Sequence, residues 1–116
     1  MKLSKSLGLF AENAAWRATG LRPAGRALVR ALNSTDENAR TIAGMFLTQA
    51  GERAEPLLLE ALDKRETPAL VLTILGSIGD RKVEPEIRRY VNDPDPDVAK
   101  AARDALRMLE AGQSLA

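Results

Sequence analysis

The sequence predicts an all-α fold, a short α-solenoid of about three and a half stacked helical hairpins. Three observations lead to this prediction. Two apolar patterns with helical spacing recur about every thirty residues along the 116-residue chain. Ala and Leu, both strong helix formers, together supply 36 residues. No segment keeps the alternation of apolar and polar residues that is typical of a half-buried strand.

The two patterns define a first and a second helix in each hairpin. The first pattern has apolar residues at i, i+1, i+4, i+5 and i+8, with copies at 42–50, 70–78 and 101–109 and a weaker version at 11–19. The second has them at i, i+4, i+7 and i+8, with copies at 24–32, 54–62 and 83–91. Both spacings line one face of a helix. We therefore predict helices over 3–19, 23–32, 36–50, 54–63, 67–78, 83–92 and 96–111.

Residues at the joints agree with these boundaries. A glycine follows the end of four first helices, where left-handed backbone is common: Gly20, Gly51, Gly79 and Gly112. The predicted N-caps of the first helices are Ser34 or Thr35, Thr67 and Asp95. Pro68 and Pro96 then fall at the first helical position, where the missing N–H has no cost.

The last repeats resemble a known family. Residues 74–80 (Ile-Leu-Gly-Ser-Ile-Gly-Asp), 83–85 (Val-Glu-Pro) and 92–95 (Asn-Asp-Pro-Asp) are similar to the short HEAT-like repeat of bacteria and archaea, which also occurs in phycobilin lyase subunits. The resemblance covers 21–112 and is strongest over 63–109. It implies a right-handed α-solenoid of about 3.5 HEAT-like hairpins. The whole chain would be one repeat domain, with 1–20 a divergent N-terminal helix and 113–116 a frayed tail.

The composition and motifs exclude most kinds of catalytic and metal-binding site. The chain has no Cys and no His, which removes disulfides, thiolate and imidazole metal ligands and the usual general base. No glycine-rich phosphate loop or nucleophile elbow occurs. Asp93, Asp95 and Asp97 have the spacing of calcium ligands, but Val98 stands where that loop needs Gly, so we interpret them as capping residues. We expect no catalytic residue, no metal and no cofactor, and hence no enzyme.

The second helices carry the first candidate binding surface. In HEAT-like proteins these helices line the concave side, where partners often bind, so the resemblance implies the same here. Spacing alone places charges opposite the apolar stripe, in the order plus, minus, plus: Arg26 and Arg30, then Glu60, then Arg88 and Arg89. We expect a ladder of ion pairs across repeats, either as a solvated face or as a surface that fixes a partner's register. The acidic middle argues against a groove for nucleic acid.

The N-terminal helix carries the second candidate. One stripe is predicted to pack on helix 23–32: Leu3, Leu7, Phe10 and Ala14. Leu9 and Trp16 lie on another side, which no earlier repeat covers, and Trp is a common interface anchor. This face predicts a protein interface or a homodimer through the N-terminal helix. Trp16 filling the first gap between helices, and a basic amphipathic helix lying on a membrane, are the alternatives.

Three functions follow from these features. The first is a non-catalytic scaffold or adaptor that binds a protein partner. The second, implied by the resemblance alone, is an accessory subunit of a bilin lyase or a cofactor chaperone. The third is a DNA-binding solenoid of the alkylpurine glycosylase type, which needs a basic groove with stacking aromatics. The sequence has no signal-peptide pattern and no apolar run long enough for a membrane span, so we expect a cytoplasmic protein.

Overall fold

The computed structural model describes residues 2–19 and 22–115, with side chains over 8–17 and 24–112. In these ranges the backbone is helical with short turns and contains no strand, so the all-α prediction is confirmed. The α-helices are α1 (Lys2–Thr19), α2 (Arg22–Ala31), α3 (Glu37–Ala50), α4 (Glu55–Asp63), α5 (Pro68–Ile78), α6 (Glu84–Arg88) and α7 (Pro96–Leu115). A first 3-10 turn (Gly51–Ala54) precedes α4, and a second 3-10 turn (Arg81–Val83) precedes α6.

The helices form two compact units, divided between Ala50 and Gly51. In the first unit, α1, α2 and α3 all pack against one another. In the second unit, α5 packs against α4 and α7, and α6 packs against α7. The approach of α5 to α7 is so close at Gly76 that a Cβ there would lie 2.8 Å from the Cα of Ala105.

The apolar patterns face inward, as their spacing predicts. Every apolar residue of the three strong copies of each pattern is buried or half-buried. The fully enclosed ones include Leu28 in α2, Leu47 in α3, Leu58 in α4, Leu75 in α5 and Ile87 in α6. Burying a Leu or Ile side chain of this size contributes about 1.5–3 kcal/mol. The period of the sequence therefore identifies the faces that stabilise each unit.

One predicted helix is wrong in its extent. The segment 83–92 forms only the five residues of α6, with 3-10 geometry before it and turns after it. Beyond Arg88 the amides of 89–91 bond to carbonyls three residues back, at 3.0–3.4 Å, which is the 3-10 pattern. The β-branched Val91 and the turn-forming Asn92 do not favour a return to α geometry.

The helix ends follow the predicted chemistry in part. Gly51 and Gly79 have positive φ angles of 62° and 78°, and the Gly79 amide bonds the Leu75 carbonyl at 3.2 Å. Gly112 does not end a helix, because α7 continues through it to Leu115. Gly20 lies outside the described residues.

Two of the predicted N-caps differ from the structure. The cap of α3 is Asp36 rather than Ser34 or Thr35, since its carboxylate accepts the Asn38 amide at 3.0 Å. Thr67 precedes α5 in left-handed backbone and its side chain makes no capping bond. Asp95 caps α7 as predicted and accepts the Asp97 amide at 2.9 Å. Pro68 and Pro96 begin α5 and α7, which confirms their predicted position.

Candidate interaction surface

The exposed faces of α4 and α6 carry mixed charge. Glu60 is half-exposed, and Arg88 and Arg89 are exposed, as their spacing predicts. Each takes part in an ion pair with a residue three or four positions away: Glu60 with Lys64 at 3.2 Å, Arg88 with Glu84 at 3.6 Å and Arg89 with Glu86 at 3.1 Å. Exposed pairs of this kind contribute roughly 0–1 kcal/mol each, so a partner can replace them at little cost. The ladder between repeats stays a prediction.

Arg26 and Arg30 lie on α2, in the first unit. Both side chains are exposed, on the helix face opposite the buried Ala24 and Leu28. The sequence therefore predicted correctly which side of α2 faces solvent.

A bidentate ion pair links the loop after α4 to the loop after α6. The Nη1 and Nη2 atoms of Arg65 donate to the two carboxylate oxygens of Asp93, at 3.0 and 2.9 Å. Asp93 is nearly enclosed, with 6% of its side chain exposed, and also accepts the Asp95 amide. The guanidinium of Arg65 and this amide hold the pKa of the Asp93 carboxyl below its usual range. Bidentate pairs between a planar guanidinium and a carboxylate are the strong form of the salt bridge.

Arg65 reaches Asp93 from a strained backbone. Its amide bonds the Leu62 carbonyl at 3.0 Å and the next amide, of Glu66, bonds the Ala61 carbonyl at 2.8 Å. This is the Schellman pattern, in which the residue at the position of Arg65 adopts left-handed geometry and is usually Gly. Arg65 has a φ angle of 56° there.

Two carboxyl groups meet at the other end of α4. Glu55, the first residue of the helix, is 9% exposed, and its carboxyl group lies against that of Asp80, the residue before the second 3-10 turn. Burial, the hydrogen bond with Asp80 and the charges of Asp80 and Glu52 raise the pKa of Glu55 to about 7, and Lys82 opposes the shift. The Lys82 amide, which donates to Asp80 at 3.0 Å, lowers the pKa of Asp80.

The prediction of an uncovered face with Leu9 and Trp16 on the N-terminal helix is wrong, and the burial of Trp16 agrees with the alternative in which it fills a gap between helices. Leu9 and Trp16 are 7% and 4% exposed, so neither belongs to an uncovered face. With the buried Asn13 they are spaced i, i+4 and i+7, which is one face of α1. The sequence did not indicate that this face is buried, because its central residue, Asn13, is polar. The large indole gains more from burial than the small Ala14, which is exposed.

The stripe predicted to pack inward is instead partly open to solvent. Phe10 is 52% exposed, and its ring lies edge-on against that of Phe46, with centroids 5.0 Å apart. Met45, beside Phe46 in α3, is 45% exposed. The side chains of Leu3 and Leu7 lie outside the described residues. Among the side chains that the structure describes in the first unit, Phe10 and Met45 are the large apolar ones that are exposed.

A shallow groove of about 650 Å³ lies between the end of α5 and α7. Its walls are small or apolar side chains and glycines: Gly76, Ser77, Ile78, Gly79, Met108, Leu109, Ala111 and Gly112. The Ser77 hydroxyl donates to the Thr73 carbonyl at 3.0 Å, so the polar group of this wall is already engaged. Over the described part of the chain, no group of three or more acidic residues could hold a metal ion.

Sequence reasoning missed Glu55, Asp80 and Arg65 as contact-forming residues. Glu55 directly follows the buried Ala54 at the start of α4, and this position beside a buried residue was a sign that Glu55 makes a contact. The signal for Arg65 was its repeat position, because Asp93 follows it by 28 residues, the spacing between first helices. Neither signal identifies the partner, which depends on how the segments pack.

In comparisons with known proteins, no family model, no curated protein and no solved structure matches this chain. None of the helices in the described ranges is both long enough and apolar enough to cross a membrane.

Proposed function

We propose that this chain is a non-catalytic scaffold or adaptor, a short HEAT-like α-solenoid that binds a protein partner through the charged faces of its second helices. The observation that carries the proposal is the exposure of Arg88 and Arg89 and the half-exposure of Glu60, which the sequence assigns to the solvent sides of the second helices. Its ion pairs are local and exposed, so binding replaces weak contacts rather than buried ones.

Three features support the solenoid arrangement. The two apolar patterns recur and face inward in every strong copy. The loop before α3 and the loop before α7 use the same bonds: Ser34 accepts the amide of Asp36, and Asp93 that of Asp95. In each loop the Asp whose amide donates then caps the helix with its own carboxylate, as Asp36 and Asp95 do. Repeated local geometry of this kind is what stacked repeats require.

The surface chemistry favours a protein over a nucleic acid. A groove that tracks phosphates needs unpaired basic residues along its length. In α6 and at its end, Arg88 pairs with Glu84 and Arg89 with Glu86, which places an acid beside each arginine. A mixed-charge face instead fits a protein surface of matching charge pattern, where such residues fix register and association rate.

The test is capture with crosslinking from native lysate, followed by affinity measurement with the purified partner. We expect the double variant Arg88→Ala, Arg89→Ala to bind at least about tenfold more weakly, since central arginines are frequent interface anchors. The matched control is Lys100→Ala, Arg107→Ala, which removes two exposed basic residues that pair with Asp104 in α7. Equal affinity of both variants and the unchanged chain would contradict the proposal.

The same experiment tests the homodimer. Crosslinks between two copies that centre on Phe10 and Met45 would identify self-association through the first unit, the surface that remains exposed once Leu9 and Trp16 are buried.

A further inference from the structure

The contact between Glu55 and Asp80 requires a proton. The Oε2 atom of Glu55 and the Oδ2 atom of Asp80 are enclosed, and within the described residues neither oxygen has a conventional donor. The two carboxyl groups lie close enough to share a hydrogen bond once one of them is protonated. Two ionised carboxylates have no donor between them, so one of the two must carry a hydrogen. An enclosed pair of unprotonated carboxylates would face both desolvation and repulsion.

The surroundings place the proton on Glu55. Asp80 accepts the backbone amide of Lys82 through Oδ1 at 3.0 Å, which stabilises the ionised form of Asp80. Glu55 is the more enclosed of the two and has Glu52 as a second negative neighbour. Its neutral carboxyl therefore donates to Asp80, and Asp80 keeps the charge.

We propose that this single proton holds the first residue of α4 to the second 3-10 turn, and that its loss as pH rises opens the contact. The device would be a pH-sensitive link between α4 and the turn before α6, within the second unit. It is independent of the proposed partner, because it acts on the chain alone.

The charges around Glu55 set the direction of the response. Burial, together with the negative charges of Asp80 and of Glu52 in the first 3-10 turn, raises the pKa of Glu55 to about 7, and Lys82 of the second turn lowers it. Arg81 of the second turn is engaged with Glu84 at 3.6 Å, and the basic residue of the first turn is Arg53. Because the pKa of Glu55 is higher in the folded state, its proton stabilises the fold fully below the ordinary Glu value of 4.5. This stabilisation is lost as pH rises through about 7.

The opposite ends of the same two segments stay joined at neutral pH. The pair of Arg65 and Asp93 stays ionised at this pH, since Asp93 raises the pKa of Arg65 and Arg65 lowers the pKa of Asp93. One link therefore opens near neutral pH and the other remains closed. The expected result is a hinge at the Glu55 end rather than a general loosening of the unit.

The experiment follows urea unfolding of the full chain between pH 5 and 8.5 at constant ionic strength. One linked proton raises the unfolding equilibrium constant by up to about tenfold per pH unit between the two pKa values. We expect this slope in the unchanged chain and its loss in Glu55→Gln, whose amide donates to Asp80 at every pH. The matched control Glu52→Gln removes a neighbouring carboxylate outside the pair and should keep the slope.

A direct titration decides the case even where a variant folds poorly. Carboxyl carbon NMR of the unchanged chain should show Glu55 titrating near neutral pH. Asp80→Asn supplies an amide donor to the Glu55 carboxylate and should move that titration towards the ordinary Glu value. A Glu55 that titrates near 4.5 in the unchanged chain overturns the proposal, as does a Glu55→Gln variant that keeps the full slope.

Discussion

Gly76 shows how one residue sets the distance between two helices. A Cβ at this position would lie 2.8 Å from the Cα and 2.9 Å from the Cβ of Ala105, closer than real Cβ contacts occur. The Met108 sulfur would be 3.2 Å away. Because two of these atoms belong to a packed helix, the neighbour cannot simply rotate aside.

Gly76→Ala should therefore destabilise the second unit by about 1–3 kcal/mol, the usual cost of overpacking. The control is Gly112→Ala in α7, where an added Cβ meets nothing within 4 Å. That control should be neutral or stabilise by about 0.5–1 kcal/mol, since Ala favours a helix interior over Gly. Urea unfolding measures both, and a Gly76→Ala variant as stable as the control would show that α5 and α7 do not pack this closely.

Arg65 combines an unfavourable backbone with a favourable side-chain contact. We expect Arg65→Ala to destabilise more than Arg65→Gly. Both variants lose the contact with Asp93, but only Gly adopts the φ angle of 56° without strain. The urea midpoints of the two variants test this order, and Lys64→Ala, which removes an exposed pair with Glu60, serves as the control. The reverse order would contradict the left-handed conformation.

At the scale of the element, side chains rather than backbone propensity determine where α7 begins. Asp95 is the N-cap of the helix, and its own amide bonds Asp93, which is held in turn by Arg65. Asp95→Ala should destabilise by about 1 kcal/mol, the usual effect of losing a cap. Asp95→Ser keeps an acceptor and should recover most of that loss in thermal unfolding. If Ser is as destabilising as Ala, the carboxylate acts through its charge and not as a cap.

The elements also show where sequence reasoning is reliable. Long periodic segments such as α3, α5 and α7 begin close to their predicted residues. The short α6 does not reach its predicted length, because the apolar spacing of Tyr90 and Val91 continues after the α hydrogen bonds have ended. Periodicity indicates which side chains face inward. Consecutive turns can keep the same inward spacing of apolar side chains without forming an α-helix.

At the scale of the whole molecule, the proposed solenoid predicts that the two units unfold together. Stacked repeats gain stability from each neighbouring interface, so weakening one unit should weaken the other. The single Trp lies in the first unit, which makes its fluorescence a local reporter there. We expect Trp fluorescence and the helical circular dichroism signal to have the same urea midpoint.

Gly76→Ala should then lower the Trp16 midpoint as well, although the substitution lies in the second unit. The control Gly112→Ala should leave this midpoint close to that of the unchanged chain. A Trp16 transition that does not respond to Gly76→Ala would mean that the two units are independent, and the solenoid proposal would fail.

The sequence by itself determined the helical class, the inward face of most helices and the proline starts of α5 and α7. These properties depend on local spacing and backbone chemistry, both of which follow directly from the amino-acid sequence. The tertiary structure decided which of two apolar stripes on α1 is covered, how closely Gly76 approaches Ala105, and which residues Glu55 and Arg65 meet. The contacts of Gly76, Glu55 and Arg65 join residues 25 to 29 positions apart in the chain. Packing in space selects such contacts, and helical periodicity carries no information about them.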